Sequence, residues 1–364
     1  IVFGDWSSDV CSSDLETPLL ELCNALENGN PLNKIPNLTY RTPQGQIIEN
    51  INEVITNLSE IPSPLFDSID IDKYRLHPPY LRKKPFMIIS TSRGCPYNCS
   101  FCGVKRNYRR RKVDEVLNEI LYYVKHYKVR EIYFCDPSLT TNKKFIIELC
   151  RQIISLKLNI LWTCKSRIDN INLAMLKYMK SAGCYLIAFG AESADPHILK
   201  NVNKGISIEQ MRQVIKMCRK TGILSMYYFM VGNFGETERS LRRTEDFIRE
   251  NIPDFAIFAP VLPLPGTNLY DNTRIRELRL EEKMEKEIFS LGKPDWPIFI
   301  PESMSEKQIY YWVNRLQKSA FFNPKYLFYR IISIKSVGEF FNYVKGFVSL
   351  LVALLLHTEN TPNI

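Results

Sequence analysis

The sequence predicts an α/β protein in which six β-strands alternate with amphipathic helices along residues 85–270. Each predicted strand is short and rich in Ile, Phe, Tyr or Val, and each segment between strands has the apolar spacing of a helix. A strand followed by a helix and another strand favours parallel pairing with right-handed crossovers. The pattern therefore indicates an open or closed α/β barrel.

The predicted elements alternate regularly. Strands are expected over 86–91, 131–135, 159–164, 185–190, 224–231 and 255–262, and helices near 114–128, 142–156, 170–182, 207–221 and 237–251. Ser207 and Gln210 predict a capping box for the fourth helix, and Gly222 is suited to end it. In such barrels functional side chains collect at the carboxyl ends of the strands, so a site is expected there.

The segments on both sides of the barrel differ from it in composition. Residues 1–15 repeat Ser-Ser-Asp without helical or strand periodicity and resemble a translated sequencing adapter, so we interpret them as a non-native artefact. Residues 16–84 combine a short helix with proline-rich extended chain, which is typical of a linker or a domain edge. Residues 271–364 are charged, then aromatic and basic, and predict a helical extension.

The helical extension has two interpretations. The favoured one is a cap that packs on the barrel, because amphipathic helices usually cover cores. The alternative is a surface helix that rests on a membrane or binds a lipid-like substrate, which would make the protein peripheral to the membrane. The longest late apolar run, 346–356, is shorter than the roughly 20 residues of a membrane-spanning helix, so no bilayer crossing is predicted.

Composition bounds the class of protein only broadly. Of 364 residues, 45% are hydrophobic, which suffices for one large core with an appendage. A net charge of +9 permits an anionic partner without requiring one. Ten cysteines are too few for a disulfide scaffold in a chain of this length, so a reducing, cytoplasmic setting is expected.

Three cysteines in one short loop are the strongest chemical signal. Cys95, Cys99 and Cys102 follow the first strand, and Gly94 and Pro96 supply the tight backbone that such a loop requires. Three thiolates can ligate three irons of a 4Fe–4S cube that normally takes four cysteines, which leaves one iron open for another ligand.

A zinc site is the alternative interpretation of these cysteines. Structural zinc normally takes four nitrogen or sulfur ligands, with a second ligand pair nearby. The next candidates along the chain are His126 and Cys135, and neither forms a recognisable pair. The spacing therefore favours an iron–sulfur cluster.

The cysteine loop resembles the signature of the radical S-adenosylmethionine (SAM) superfamily, in which CxxxCxφC follows the first strand of a β/α barrel. The resemblance implies a partial (β/α)6 TIM-like barrel of the radical SAM type, with an N-terminal linker or remnant and a C-terminal helical extension. It covers about residues 85–270 and includes 162–169, 189–193, 229–237 and 263–270.

These segments together are similar to the subfamily whose members often carry a cobalamin-binding domain before the barrel. Residues 16–84, with 35–41 and 61–64 in particular, resemble the remnant of that domain and its linker, which predicts a longer native chain. No histidine lies in the Asp-x-His-x-x-Gly motif of cobalamin-binding relatives. Cobalamin is therefore expected only in the full-length parent.

The resemblance implies a 4Fe–4S cluster and SAM as cofactors of the chain itself. Cys95, Cys99 and Cys102 are then the metal ligands, and SAM chelates the open iron. An electron from the reduced cluster splits SAM into methionine and a 5′-deoxyadenosyl radical, which abstracts hydrogen from the substrate. The implied partner for this step is an external electron donor of the flavodoxin or ferredoxin type.

The resemblance also assigns contacts with the adenine and the amino group of SAM. Phe101, the aromatic residue of the motif, is expected to pack near the adenine. Met230 and Val231 lie where backbone contacts with adenine are expected. Asp136 lies where relatives contact the methionine amino group, although the usual glycine-rich form is absent there.

Further SAM contacts are expected from the ends of the third and fourth strands. Glu192 and Ser193 match positions that bind ribose or the methionine moiety, and Arg167 is expected to pair with the SAM carboxylate. The alternative is that Glu192 and Arg167 pair with each other or with a core lysine, since ion pairs are common.

A basic run follows the cluster loop. Residues 105–112 contain six basic residues in eight. One interpretation is a solvated turn before the first helix. The other is an anion clamp at the barrel mouth for a phosphate or an acidic substrate.

Three functions compete on these observations. The favoured one is a radical SAM enzyme that modifies a small-molecule or lipid-like substrate by methyl transfer, cyclisation or a similar reaction. The second is an RNA-modifying radical SAM enzyme, suggested by the basic run; such relatives usually append a small β-barrel, whereas residues 300–364 predict helices, so nucleic acid is not the expected partner. The third is a non-catalytic iron–sulfur electron carrier.

Overall fold

The computed structural model describes residues 2–3, 14–74, 81–104, 106–264, 266–272 and 299–327. The strands are β1 (Val2–Phe3), β2 (Leu38–Arg41), β3 (Ile47–Glu49), β4 (Phe86–Ile89), β5 (Ser92–Arg93), β6 (Arg109–Arg110), β7 (Glu131–Phe134), β8 (Leu161–Ser166), β9 (Cys184–Glu192), β10 (Leu224–Val231) and β11 (Phe255–Pro260). The helices are α1 (Glu16–Asn28), α2 (Val113–His126), α3 (Lys143–Ser155), α4 (Leu173–Ser181), α5 (Pro196–Asn201), α6 (Ile208–Thr221), α7 (Glu238–Asn251), α8 (Asn268–Asn272) and α9 (Glu306–Phe321).

Six strands form one sheet in the order β4–β7–β8–β9–β10–β11. Every neighbouring pair in this sheet is parallel. The spatial order follows the chain order, as consecutive strand–helix–strand units with one crossover hand require. Within the described residues β4 and β11 are the two edges, so the barrel is partial. The predicted α/β fold is confirmed.

The strand predicted at 159–164 instead runs over Leu161–Ser166. The reason is the end of α3: Lys157 adopts a left-handed conformation with φ of 52°, and the Leu158 amide donates to the carbonyl of Ile153. This local cap occupies the two residues directly before the predicted strand, and β8 begins only three residues after the cap, at Leu161. The strand then continues through Lys165 and Ser166, which pair with β9.

One face of the sheet packs against the helices. Trp162 is fully buried there, and its indole N–H donates to the carbonyl of Ala182 at 2.7 Å. The buried aromatic rings of Phe134, Phe189 and Phe229 belong to the same core. Residues of the opposite face form a separate apolar cluster in the barrel interior, built from Tyr185, Leu186, Ala188 and Met226.

Helix ends follow the predicted chemistry. The Ser207 hydroxyl accepts from the Gln210 amide, and the Gln210 side chain accepts from the Ser207 amide, so α6 begins with the predicted capping box. Gly222 ends this helix with φ of 71°. Gly183 has no substitute, because a Cβ atom on it would lie 2.1 Å from the carbonyl oxygen of Ile160.

The residues before the barrel form a small antiparallel sheet in the order β1–β2–β3, next to α1. Asp14 is buried and connects this segment to the hairpin formed by β5 and β6. Its carboxylate accepts from Arg93 at 2.9 Å and from Arg109 at 2.7 Å. The N-terminal segment is thereby joined to the strand pair that brackets the cysteine loop.

The described part of the C-terminal extension is α9, which packs on α7 and β11. Ile309, Trp312 and Leu316 are fully buried on this side. Glu245 of α7 accepts from the Arg315 guanidinium at 2.9 Å. The charged segment 274–287 and the apolar run 346–356 lie outside the described residues. Among the described residues, no helix has the length and apolar character needed to cross a bilayer.

Candidate functional site

The residues singled out from the sequence all lie at the carboxyl edge of the parallel sheet. The cysteine loop follows β4, Asp136 follows β7, Arg167 follows β8, and Glu192 ends β9. Because the carboxyl ends of parallel strands meet at one edge, residues far apart in sequence converge there. Met230 and Val231 reach the same edge at the end of β10.

Cys95, Cys99 and Cys102 are free thiols of one loop, which begins at Gly94 with φ of 74°. Burial raises the pKa of Cys95, with a further contribution from the neighbouring Cys99 thiol. Partial desolvation within the loop, followed by the thiols of Cys99 and Cys95, raises the pKa of Cys102 to about 11. The Cys99 thiol contributes to both shifts, and metals bind cysteine as thiolate.

No group of three or more His, Cys, Asp or Glu side chains within the described ranges converges on a single metal ion. A 4Fe–4S cluster makes a different demand, because each cysteine binds a different iron and the sulfurs must surround a volume. Three neighbouring free thiols on one short loop match that donor set. The chemistry of these residues therefore fits a cluster with one iron left to another ligand.

The cysteine loop is held at its middle by backbone and amide contacts. The Ser100 amide donates to the carbonyl of Val202 at 3.0 Å, and the Leu269 amide donates to the carbonyl of Ser100 at 2.8 Å. The Asn203 side chain donates to the carbonyl of Asn98 at 2.6 Å. The turn after α5 and the start of α8 thus fix the loop between them.

Arg167 is buried directly beneath this loop. Its Nε and Nη2 atoms donate to the two carboxylate oxygens of Asp169 at 2.9 and 3.0 Å. Its Nη1 atom lies 3.6 Å from the sulfur of Cys99, and its Cζ atom lies 3.8 Å from the centre of the Tyr97 ring. Nη2 also donates to the carbonyl of Lys204. Four of the five N–H groups of the guanidinium are therefore engaged.

Glu192 pairs with a lysine that sequence reasoning did not single out. The Lys204 ammonium donates to the Glu192 carboxylate at 2.7 Å, and both side chains are buried. Burial by itself lowers the pKa of Lys204, but the Glu192 carboxylate and the Cys99 thiol outweigh it and raise that pKa. The same ammonium lies 5.8 Å from the centre of the Phe101 ring.

A glycine makes room for this ion pair. A Cβ atom on Gly190 would lie 2.4 Å from the Glu192 carboxylate and 2.7 Å from the Lys204 ammonium. Glu192 itself has φ of 62°, in the left-handed region. The signal that could have identified Lys204 is the Lys-Gly pair after α5, but nothing local indicates that it faces Glu192.

The residues expected near adenine share one apolar cluster. Phe101 and Met230 are half-buried and pack against Val261, Leu269 and Phe299. The Met230 carbonyl accepts from the Asn233 side chain at 3.2 Å, and the Val231 carbonyl accepts from the Val261 amide at 2.9 Å. The cluster places apolar side chains beside the cysteine loop, of which Phe101 is a member.

Asp136 is fully buried and accepts hydrogen bonds from the start of the cysteine loop. Its carboxylate accepts from the Thr91 amide at 3.1 Å, from the Thr91 hydroxyl at 2.8 Å and from the Ser92 hydroxyl at 2.5 Å. Ser193 is also buried, and its hydroxyl accepts from the Asp195 amide at 3.2 Å. Both residues therefore stabilise turns at the edge of the barrel.

The described part of the basic run is engaged within the protein. Arg109 pairs with Asp14, the Arg110 guanidinium lies 4.7 Å from the ring centre of Phe145, and Arg111 pairs with Glu119. The Arg106 guanidinium donates to the Asn98 side chain. These contacts hold the strand pair β5–β6 against the barrel, while Arg106, Arg110 and Lys112 stay exposed. Both the solvated turn and the anion clamp therefore stay predictions.

Residues 89–248 match the sequence profile of the Radical SAM superfamily, so the chain contains a radical SAM domain. This family uses a 4Fe–4S cluster and SAM, and the predicted radical SAM domain is confirmed. Two relatives with assigned names are similar to this chain in sequence. The "Uncharacterized methyltransferase PH0819" of Pyrococcus horikoshii is 34% identical over 275 residues, covering 74% of this chain and 59% of that protein.

The second relative is the anaerobic magnesium-protoporphyrin IX monomethyl ester cyclase of Rubrivivax gelatinosus, 28% identical over 335 residues, covering 89% of this chain and 58% of that protein. The chain thus spans less than two thirds of either relative. Among solved structures, the cobalamin-dependent SAM radical enzyme OxsB shares the fold with a TM-score of 0.64 at 20% identity, covering 95% of this chain and 56% of that one. The methyltransferase TsrM of Kitasatospora setae gives 0.59 at 19% identity, covering 84% and 58%.

Proposed function

We propose that this chain is the catalytic part of a radical SAM enzyme, with Cys95, Cys99 and Cys102 as the ligands of its 4Fe–4S cluster. The observation that carries the proposal is the set of three neighbouring free thiols on one loop at the carboxyl edge of a partial β/α barrel. When bound, the cluster and SAM supply a 5′-deoxyadenosyl radical that removes hydrogen from an unreactive C–H bond.

The residues around the loop would bind and orient SAM. Phe101 and Met230 offer an apolar surface for the adenine, next to the backbone of Val231. Glu192 would accept hydrogen bonds from ribose hydroxyls, and the buried Lys204 ammonium pairs with the same carboxylate. Ser193 extends the polar edge beside it.

Two further residues act near the methionine part of SAM. Four of the five N–H groups of Arg167 are used by Asp169, Lys204 and Cys99, and the fifth, on Nη1, would donate to the SAM carboxylate. Asp136 would support the methionine amino group through the Thr91–Ser92 turn that it holds. Packing around these residues excludes water from a reactive radical.

The substrate would be a small molecule or lipid-like compound in the barrel interior, modified by methyl transfer, cyclisation or a similar reaction. The two curated relatives are named as a methyltransferase and a cyclase, which supports this choice. The interior face of the sheet is apolar in its middle, with Ala188, Met226 and Tyr228. Lys165 is exposed on the same face, because strand alternation turns it away from the buried Trp162 and Cys164.

The organisation of the chain follows from the same proposal. Residues 85–270 would form the radical SAM core, 16–84 the remnant of a cobalamin-binding domain with its linker, and 271–364 a helical extension. Residues 1–15 would be a non-native artefact, even though Asp14 of this segment is buried and pairs with Arg93 and Arg109. Cobalamin would then belong to the full-length parent, and the reductant would be an external flavodoxin or ferredoxin.

The test is anaerobic reconstitution with iron and sulfide, followed by dithionite and SAM and an assay for 5′-deoxyadenosine. The wild type should gain the absorbance of a 4Fe–4S cluster and form the product, whereas Cys99→Ala should lose both. Cys23→Ala, which changes an exposed cysteine on α1, is the matched control and should behave as wild type. A loaded wild-type cluster that never yields 5′-deoxyadenosine would indicate the electron carrier instead.

A further inference from the structure

Arg167 makes a contact that SAM binding does not require. Its Nη1 atom lies 3.6 Å from the sulfur of Cys99, within the range of a hydrogen bond to sulfur. Cys99 is the middle cysteine of the loop. Of the three loop cysteines, it is the one whose sulfur accepts a hydrogen bond from Arg167. A group with this contact acts on a cluster ligand before any SAM is present.

The guanidinium is fixed in this orientation from several directions. Asp169 holds the Nε and Nη2 edge with two hydrogen bonds, and the Lys204 carbonyl accepts from Nη2. Tyr97 covers one face of the plane at 3.8 Å, and its own hydroxyl donates to Asn170 at 2.8 Å. Because the planar fork is already ordered, little rotamer entropy opposes the contact with sulfur.

The charge of Arg167 is balanced locally, so the directed hydrogen bond is its distinctive contribution. Asp169 neutralises the guanidinium, just as Glu192 neutralises the nearby Lys204. Two neutral pairs therefore lie against the loop. Because both charges are balanced, the main effect of Arg167 on the Cys99 sulfur is the hydrogen bond from Nη1.

Hydrogen bonds to cysteine sulfurs help to set the reduction potential of an iron–sulfur cluster. Reduction adds negative charge that is shared by the sulfurs, and an N–H donor stabilises that charge. Its presence therefore makes the cluster easier to reduce. In a radical SAM enzyme, reduction of the cluster precedes SAM cleavage.

We propose that Arg167 is a positioning residue that donates a hydrogen bond to the sulfur of Cys99 and thereby raises the reduction potential of the cluster. This inference rests on the proposed cluster at Cys95, Cys99 and Cys102. It adds to Arg167 a role in electron uptake that is separate from contact with the SAM carboxylate.

The decisive experiment measures the midpoint potential by redox titration followed by electron paramagnetic resonance, without SAM. Arg167→Met removes the donor but also leaves the Asp169 carboxylate unpaired near the cluster, which lowers the potential for a second reason. The double variant Arg167→Met/Asp169→Asn removes the donor at unchanged net charge. Its one-electron reduction should be about tenfold less favourable than in the wild type, a shift of 59 mV to lower potential.

Arg151→Met is the matched control. Arg151 also stacks on a tyrosine, Tyr178, and pairs with a carboxylate, Glu148, but it lies on the outer helix α3. This variant should keep the wild-type potential. A second readout is the Fe–S(Cys) stretching frequency in resonance Raman spectra of the oxidised cluster, which should rise when the hydrogen bond to sulfur is lost.

The outcomes separate this inference from the proposed function. A double variant that loads its cluster and keeps the wild-type potential overturns the role of Arg167 and leaves the cysteine assignment intact. A wild type that assembles no cluster overturns the proposed function itself. If neither methionine variant loads iron, Arg167→Lys replaces them: it keeps the charge but not the fork, its potential should fall, and a wild-type potential would refute the inference.

Discussion

Gly190 shows how closely the backbone of β9 approaches the Glu192–Lys204 pair. Gly190→Ala would place a methyl group within 2.7 Å of both charged groups, so the pair must separate or the strand must shift. Such overpacking costs about 1–3 kcal/mol, and SAM should bind more weakly to the variant. Denaturant unfolding and equilibrium binding of SAM measure the two effects.

The control for that variant is a double-mutant cycle. The same Gly190→Ala change in a Glu192→Met/Lys204→Met background meets flexible apolar side chains in place of a fixed ion pair, so its destabilisation should be smaller. Equal destabilisation in both backgrounds would show that the strand and not the ion pair requires glycine.

The stability of the protein should depend on pH because of the buried Glu236 carboxyl. This residue is fully buried in the loop after β10. One carboxylate oxygen accepts hydrogen bonds from the amides of Gly232 and Asn233, at 2.6 and 3.0 Å. The other oxygen has no hydrogen-bond partner within the described residues. Burial raises its pKa from 4.5 to about 7. Because the folded state holds this proton more tightly, the associated stability is complete below pH 4.5 and is lost as the pH rises through 7.

Glu236→Gln should therefore be nearly as stable as the wild type at pH 4.5 and more stable at pH 8. A shift of this size corresponds to about 3 kcal/mol at most. Urea unfolding of the two proteins at both pH values, with the difference taken between them, isolates this group from the other titrating residues. A stability difference that does not change with pH would contradict the assignment.

At the scale of elements, the turn after α5 supports the cysteine loop. Asn203 has φ of 50° and donates its side-chain amide to the Asn98 carbonyl. Asn203→Gly keeps the backbone conformation accessible but removes the donor. The reconstituted cluster should then lose iron to a chelator severalfold faster than the wild type, as followed by the loss of absorbance.

Lys128→Gly is the control for Asn203→Gly. Lys128 also has a positive φ, 54°, but lies between α2 and β7 at the opposite edge of the sheet. Iron release from this variant should match the wild type. Equal acceleration in both variants would mean that general loosening, and not the tie to Asn98, controls release.

The elements were largely predictable from the sequence because their signals are local. Apolar periodicity and caps such as Ser207 and Gly222 depend on residues within a few positions, and the observed α6 agrees with them. The cysteine loop was found for the same reason. Lys204 was not found, because its partner Glu192 belongs to another strand and only the parallel register brings the two together.

The site contacts show the same limit. The sequence indicated that Glu192 and Arg167 could pair with each other or with a core lysine, but did not choose. The structure pairs Glu192 with Lys204 and Arg167 with Asp169. Asp169 is two residues from Arg167, so this pair could have been predicted from the local sequence. The contact of Arg167 with Cys99 could not, because the two residues are 68 positions apart.

At the scale of the whole molecule, α9 covers the barrel side formed by α7 and β11. Trp312 is its fully buried anchor. Trp312→Ala should destabilise the protein by about 3–5 kcal/mol, as expected when a large buried aromatic is removed. Thermal or urea unfolding measures the change.

Tyr311→Ala, on the exposed side of the same helix, is the control and should have a much smaller effect. If Trp312→Ala costs no more than this neighbour, the described helix contributes little to the stability of the barrel.

Because the barrel is partial, its sheet has edge strands, and edge strands affect how readily a protein aggregates. Within the described residues the edge strands of this sheet are β4 and β11, and an edge strand can pair with a strand of another molecule. Pro85 stands immediately before β4 and Pro260 ends β11, and neither can donate an amide hydrogen bond. Both edge strands are short and each has a proline at one end, which limits pairing with strands of other molecules and so limits fibril formation.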